Sequence, residues 1–296
     1  MLSNPFDPTD VWIITLNWNK PDITKDCLHS LMINTGTTFS FLLIDNGSND
    51  DSVKILKNEF PSLITIYNKE NLGFGAGFNI GIKYAIEQGA KYILIINNDT
   101  IADPTMMNQL LSVIEGDDEI GIVAPFIYFY ENKEKIWSQG GYINSFLLEK
   151  TESKSKNHSK DQNMKTFLTA CCLLINIEVF KKVGVFDERF FMYYEDLDFS
   201  LRCLKNGIIM KIVPEAKLWH RISTSSGGKN NPLERFYMAK SSGLFFRKHM
   251  KIWQSPFIVS YRLGSAILCT YRLLRNRQYN SIPYYWRGLI QGWVKN

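Results

Sequence analysis

Short apolar runs and stretches of helical spacing alternate along the first 125 residues. Val11 to Leu16, Phe39 to Ile44, Leu63 to Tyr67, Tyr92 to Ile96 and Ile120 to Pro125 are nearly unbroken apolar segments, as expected of strands buried on both faces. Between them, Asp22 to Asn34 sets Ile23, Cys27, Leu28 and Leu31 on one side of a helix. Ser52 to Phe60, Phe74 to Gln88 and Pro104 to Ile114 also read as helices, the second stopped by Gly89 and the third opened by proline. This alternation predicts an α/β domain with a mostly parallel sheet flanked by helices. Ligands of such sheets bind beyond the carboxyl ends of the strands, and Asn17, Asp45 and Asn97 to Asp99 fall there.

The pattern changes after residue 125. Ile127 to Leu148 is aromatic and strand-like, with Gly140-Gly141 as a turn. Glu149 to Asn163 is rich in Lys and Ser and lacks apolar periodicity, so it reads as a mobile surface loop, with an active-site lid as the alternative. Phe167 to Ile175 is another apolar strand, which puts Cys171 and Cys172 in the core as packed thiols. Leu233 to His249, Trp253 to Arg277 and Ser281 to Val294 form a helical C-terminal part. The predicted division is a domain over 1–231, with halves of about 1–125 and 126–231, and a helical extension over 232–296.

Bulk composition adds two constraints. With 45% hydrophobic and 21% charged residues, the chain has material for a sizeable core and is not broadly disordered. Net charge is +5, and from Glu234 onward Glu234 is the sole acid among many Lys and Arg. That asymmetry favours an anionic partner, and the interleaved Tyr and Trp favour an anionic membrane surface over nucleic acid. The alternative is that these helices pack on the main domain with their basic residues solvated. Five cysteines without a C-x-x-C pair fit a reduced, cytoplasmic protein without structural zinc. No run of about 20 apolar residues is present, since Arg262 and Arg272 interrupt the best candidate, so the expected location is cytoplasmic or peripheral at the inner face of the membrane.

The candidate chemistry is carboxylate chemistry. Glu195, Asp196 and Asp198 follow an aromatic run, and Leu197, Leu201 and Leu204 continue at helical spacing to Gly207. The acids therefore open a helix, whose N-terminus favours negative charge. Capping alone is the other reading. Asp99 at the end of a very apolar strand suits Mg²⁺ or Mn²⁺ when substrate phosphates complete the shell. His220 could add a nitrogen ligand, although alone it reads more readily as a structural histidine. Asp45 opens Asp-Asn-Gly-Ser, either a turn or an acceptor for a nucleobase or ribose. Gly73, Gly75, Gly77 and Gly81 lack the G-x-G-x-x-G spacing, so they mark backbone passing close to a ligand or to a neighbouring element.

Four segments together carry a resemblance: Leu43 to Ser48, Asn71 to Asn79, Ile96 to Thr100, and Val183 to Phe191 running into Glu195-Asp196. Over Val11 to His220 the chain resembles the family-2 inverting nucleotide-sugar glycosyltransferases of the GT-A fold, and is most similar to rhamnosyltransferase-like members. The resemblance implies Asp196 as catalytic base, Asp99 as the metal-binding acid of a D-x-D element whose first position is here Asn97, and His220 as a further ligand. It implies Asp45 at the base or ribose, and Asn17, Asn46, Gly73, Asn79, Asn97 and Asn98 around the donor. The implied reaction is metal-dependent transfer of a sugar, in first place rhamnose from dTDP-rhamnose, to a saccharide or polyprenyl-diphosphate-linked acceptor in cell-surface polysaccharide synthesis. A UDP-hexose donor is the alternative. The family helix matching Arg235 to Lys248 usually holds an Arg-Asn pair, but Ala239-Lys240 stands here, so that pair's role does not carry over.

Two other classes compete. A sugar nucleotidyltransferase would need a Gly-rich basic loop after the first strand, and Leu16 to Lys20 is not one. A non-catalytic membrane-surface or scaffold protein would leave the coincidence of Asp45, Asp99 and Asp196 without a reason.

Overall fold

A computed structural model describes residues 10–33, 38–153, 164–222 and 230–294. The first half follows the apolar blocks: β1 (Val11–Asn17), α1 (Pro21–Met32), β2 (Ser40–Asp45), α2 (Ser52–Glu59), β3 (Ile64–Tyr67), α3 (Phe74–Glu87), β4 (Tyr92–Asn97), β5 (Thr100–Ala102), α4 (Met106–Glu115) and β6 (Ile120–Phe129). Then come β7 (Ile136–Ser138), β8 (Gly141–Ile143), β9 (Lys150–Glu152), β10 (Met164–Lys165), β11 (Cys172–Asn176), α5 (Ile177–Val183), α6 (Glu195–Lys205) and β12 (Ile209–His220). The chain closes with α7 (Pro232–His249), α8 (Ser255–Arg275) and α9 (Ser281–Trp293).

The main sheet runs β10-β12-β6-β11-β4-β1-β2-β3, with β5 on β12 and β7 on β6. Strands β1 to β4 are mutually parallel, β6 is parallel to β12, and β11 sits antiparallel between β4 and β6. Alternate residues of β1 feed opposite cores. Ile13 packs with Cys27, Leu28 and Leu31 of α1, and Trp12 and Ile14 pack with Phe78, Ile82 and Ala85 of α3. Both faces are covered, which is why these strands carry no polar alternation. A Cβ on Gly77 would lie 2.7 Å from a methyl of Leu16, and one on Gly81 2.7 Å from a methyl of Ile14. Those two glycines serve a neighbouring element, letting α3 lie close on β1.

Three expectations change. Phe167 to Ile175 is not one strand: β11 begins at Cys172, opposite Ile96, with one more backbone bond from Asn97 N–H to the Cys171 carbonyl where β4 ends. Phe167 instead bridges to Gly141. Within the segment Glu149 to Asn163, Lys150–Glu152 form a hairpin strand on β8, and 154–163 lie outside the described residues. Trp253 to Arg277 is a 3-10 turn over Ile252–Gln254 followed by α8, with Pro256 in the first turn, where its missing N–H costs no hydrogen bond.

The C-terminal helices are not a loose appendage. Leu244, Phe245 and Phe246 of α7 share a core with Phe167, Phe190, Leu197 and Leu201. Helices α7 and α9 meet at their backbones, where a Cβ on Gly288 or Gly292 would lie 2.2 Å from the carbonyl oxygen of Phe236 or Lys240.

Candidate active site

The carboxyl ends of β1 and β2 meet through polar side chains. Asn17 and Asp45 are register partners, and Asn17 Nδ2 donates to Asp45 Oδ1 at 2.9 Å. The Ser48 hydroxyl also donates to Asp45 Oδ1 at 2.7 Å, and its N–H donates to Oδ2 at 3.1 Å. Asn98 Nδ2 donates to the Thr24 hydroxyl, which donates to Asn17 Oδ1, both at 2.8 Å. One hydrogen-bonded chain thus runs from the end of β4 to the end of β2. Asn97, the last residue of β4, pairs with Leu16, so Asn17, Asp45 and Asn97 border one edge of the sheet. The Asp-Asn-Gly-Ser segment is a turn, and the same bonds hold the Asp45 carboxylate at the strand end.

Asp99 follows in the turn between β4 and β5. The pairing of β5 with β12 sets Thr100 opposite His220 and brings His220 Nε2 to 3.1 Å from Asp99 Oδ1. Both side chains are buried. Burial opposes charge on His220, but the Cys171 sulfur and the Asp99 carboxylate outweigh it and raise the imidazole pKa. Asp99 is the cause that matters, because burial holds the Cys171 thiol neutral. Two adjacent ligands of an octahedral ion with bonds near 2.1 Å stand about 3 Å apart. Asp99 and His220 meet that spacing, and with the imidazole deprotonated at Nε2 they would supply one oxygen and one nitrogen donor, a set that suits Mn²⁺ better than Mg²⁺. Among the described residues, no group of three or more His, Cys, Asp or Glu could hold a metal alone, so phosphate and water would complete the shell.

The loop that leads to the acid pair meets this edge at Gly73. Asn46 Nδ2 donates to the Gly73 carbonyl at 3.1 Å and to Asn71 Oδ1 at 3.0 Å, and its Oδ1 accepts from Asn68 and Leu72. Gly73 has φ 86°, and a Cβ there would lie 2.3 Å from the Phe191 carbonyl oxygen. That carbonyl accepts from Phe74 N–H at 2.8 Å. Asn79, fully buried, exchanges hydrogen bonds with the Phe186 backbone and donates to Glu188. Asn46, Gly73 and Asn79 therefore hold the loop that leads into α6.

Tyr193 and Tyr194, with φ of 69° and 66°, then turn the chain into α6. Successive left-handed residues cost about 1–3 kcal/mol each and persist only where packing enforces them. Here α7 does so: Phe191 stacks on Tyr237, Tyr194 packs on Phe245, and Ser241 donates to the Met192 carbonyl at 2.8 Å. The two acids then differ. Asp196 is half-buried and accepts from Leu197 N–H at 2.8 Å. Glu195 is buried with Oε2 unpartnered, and burial, then the Asp196 carboxylate, pushes its pKa up to about 8.

The third acid of the motif belongs to a network that sequence reasoning missed. Asp198 is fully buried and accepts from Arg202 at 2.9 Å, Lys248 at 2.5 Å and His249 at 2.7 Å. Burial would raise its pKa, but the His249 and Lys248 bonds prevail and hold it below the usual range. Lys248 also binds Asp187 at 2.7 Å. The four-residue spacing of Asp198 and Arg202 is a local signal; nothing local indicates Lys248 or His249.

A mixed sheet with this strand order, its polar side chains gathered beyond the ends of β1, β2 and β4, has the architecture of the GT-A glycosyltransferases. The chain belongs to Glycosyl transferase family 2, whose profile matches residues 12–184. It is 25% identical to the N-acetylglucosaminyl-diphospho-decaprenol L-rhamnosyltransferase of Mycobacterium tuberculosis, over 90% of this chain and 94% of that protein. It is 28% identical to the dTDP-rhamnosyl transferase RfbF of Shigella flexneri, over 72% of each. The mannosyltransferase PcManGT from Pyrobaculum calidifontis, solved with GDP-Man and Mn²⁺, superposes with TM-score 0.60 at 11% identity over 98% of this chain and 88% of that one. GalNAc-T7, solved with UDP, GalNAc and Mn²⁺, gives TM-score 0.63 at 15% identity over 79% of this chain and 47% of that one.

Proposed function

We propose that this glycosyltransferase transfers rhamnose from dTDP-rhamnose, with inversion, to a lipid-linked saccharide in cell-surface polysaccharide synthesis. The observation that carries the site reading is the continuous linkage of strand ends and acid pair: Asn98 to Thr24 to Asn17 to Asp45, then Asn46 to Gly73 and the Phe191 loop to Asp196. The donor and acceptor classes draw support from the two rhamnosyltransferase relatives.

In this reading Asp45 and Asn17 receive the base or ribose, with Asn97 and Asn98 beside them. Asp99 and His220 would hold Mg²⁺ or Mn²⁺, which would supply positive charge to the diphosphate of the donor. Asp196 takes the proton from the acceptor hydroxyl as that oxygen attacks the anomeric carbon. Attack from the face opposite the leaving diphosphate inverts the anomeric centre. Burial, then the neighbouring carboxylate, favours the neutral form of Glu195. Asn46, Gly73 and Asn79 act through the loop they hold. A lipid-linked acceptor would bring the enzyme to the inner face of the cell membrane.

The test is release of nucleoside diphosphate by the purified chain with Mn²⁺ or Mg²⁺ and each of dTDP-rhamnose, a UDP-hexose and GDP-mannose. Preference for dTDP-rhamnose supports the proposal. Preference for a UDP-hexose replaces the donor, and no turnover of any donor with a polyprenyl-diphosphate saccharide present refutes the acceptor class.

A further inference from the structure

Helix α8 has one packed side and one bare apolar side. Ile258, Ala266 and Leu273 are buried. Three polar anchors fix how the helix is rotated. Gln254, just ahead of it, donates to the carbonyls of Ser145 and Phe146. Arg262 bonds Glu149 and Ser242, and Thr270 accepts from the Trp286 indole. The opposite half of the cylinder therefore cannot turn inward. It carries Phe257, Tyr261, Leu263, Ile267, Leu268, Tyr271 and Leu274, each at least 45% exposed. Ile252, at 94%, and Trp253 extend the strip, and Phe146 packs against Trp253 and Phe257. At 21 residues the strip is about 31 Å long. Apolar surface this extensive on one helix marks an interaction face.

Charge identifies the occupant. Arg272 and Arg275 stand on the same face at its C-terminal end, exposed Arg277 and Arg287 lie beyond, and no acid follows Glu234. A second copy packed through this face would offer these arginines no acid from its own last two helices, since none follows Glu234. An anionic lipid surface matches both features, taking apolar side chains at the acyl boundary, Tyr and Trp at headgroup level, and arginines at the phosphates. No described helix is long and apolar enough to cross a membrane, so α8 would lie in the interface plane.

We infer that the exposed strip formed by Trp253 and the outer face of α8 as far as Arg275 is a membrane-docking surface that seats this enzyme on anionic lipid. Only its purpose, access to a lipid-linked acceptor, rests on the function proposed above; the contact itself is tested without turnover. The packing also sorts the C-terminal aromatics and arginines. Arg262, Tyr285, Trp286 and Trp293 serve the fold, and the face described here serves the lipid. Truncation after Lys251 would strip α9 from α7, so surface substitutions are the appropriate probe.

Full-length protein is sedimented with phosphatidylcholine vesicles, with and without 30 mol% phosphatidylglycerol. Binding should require the anionic lipid and weaken as salt rises. Ile267→Glu/Leu268→Glu should lower partitioning at least ~10-fold, and Arg272→Glu/Arg275→Glu should lower it and flatten the salt dependence. Thermal melting and nucleoside diphosphate affinity should match the parent in both variants. Equal binding by Ile267→Glu/Leu268→Glu, or none by the parent, overturns the inference. So does a dimer that the same substitutions dissolve in the absence of vesicle binding.

Discussion

Glu195→Gln tests whether burial separates the roles of two adjacent carboxylates. Glu195 is buried, its Oε2 has no hydrogen-bond partner, and burial followed by the Asp196 charge raises its pKa from 4.5 to about 8. The folded protein then holds a proton that the unfolded chain releases between those two values. The stability this group contributes is complete below about pH 4.5 and is lost as pH rises through about 8. The shift corresponds to on the order of 5 kcal/mol. Glutamine keeps the shape of the neutral acid and cannot ionise. The variant should match the parent near pH 4.5, then gain on it by up to about 1.4 kcal/mol per pH unit until pH 8. Urea unfolding from pH 5 to 9 at fixed ionic strength measures this difference, in which other titrating groups cancel. Turnover at pH 7 should survive, because the group replaced is already neutral. Parallel stability profiles for the two proteins would show that Glu195 is ionised in the fold, and the division of roles would fall.

Asp196→Asn should keep the fold and nucleoside diphosphate binding and lower transfer by roughly 10²-fold or more; near-normal turnover would remove Asp196 from the mechanism. Asp99→Ala should weaken nucleoside diphosphate binding with Mn²⁺ or Mg²⁺ far more than binding of the nucleoside alone, and calorimetry that finds the parent's affinity unchanged by chelator would count against a metal there. Gly73→Ala sets a Cβ 2.3 Å from the Phe191 carbonyl at φ 86°, so it should cost at least about 2 kcal/mol and depress turnover with it; parent-like melting and rate would mean the loop does not depend on that contact. Asp198→Ala leaves Lys248, His249 and Arg202 around a buried site without its anion, for which about 3–5 kcal/mol is expected by urea unfolding; a loss under 1 kcal/mol would mean water replaces the carboxylate.

The donor half was legible because its signals are local. A strand buried on both faces must be apolar throughout, so Val11 to Leu16 and Tyr92 to Ile96 announced themselves, and the polar residues at their ends had to lie along one sheet edge. Asp196 was legible as a helix opener from the spacing of Leu197, Leu201 and Leu204. The glycines were seen as close approaches, but whether to ligand or to chain was not decidable: Gly77 and Gly81 meet β1, and Gly73 meets the acid-bearing loop.

By itself, then, the sequence determined the alternation of strands and helices and the residue types available for chemistry, because periodicity and turn chemistry act over a few neighbouring positions, while the class of enzyme came from the resemblance of four segments to a known family. Only the tertiary structure decided how those residues differ. It buried Glu195 and left Asp196 half-exposed, although the two are chain neighbours. It brought His220 to Asp99 through the pairing of β5 with β12, and Lys248 and His249 to Asp198 through α7. It divided the C-terminal aromatics and arginines into packed and exposed sets by fixing the rotation of α8. Burial, desolvation and pairing depend on what the rest of the chain places against a group, and no window of neighbouring residues contains that information.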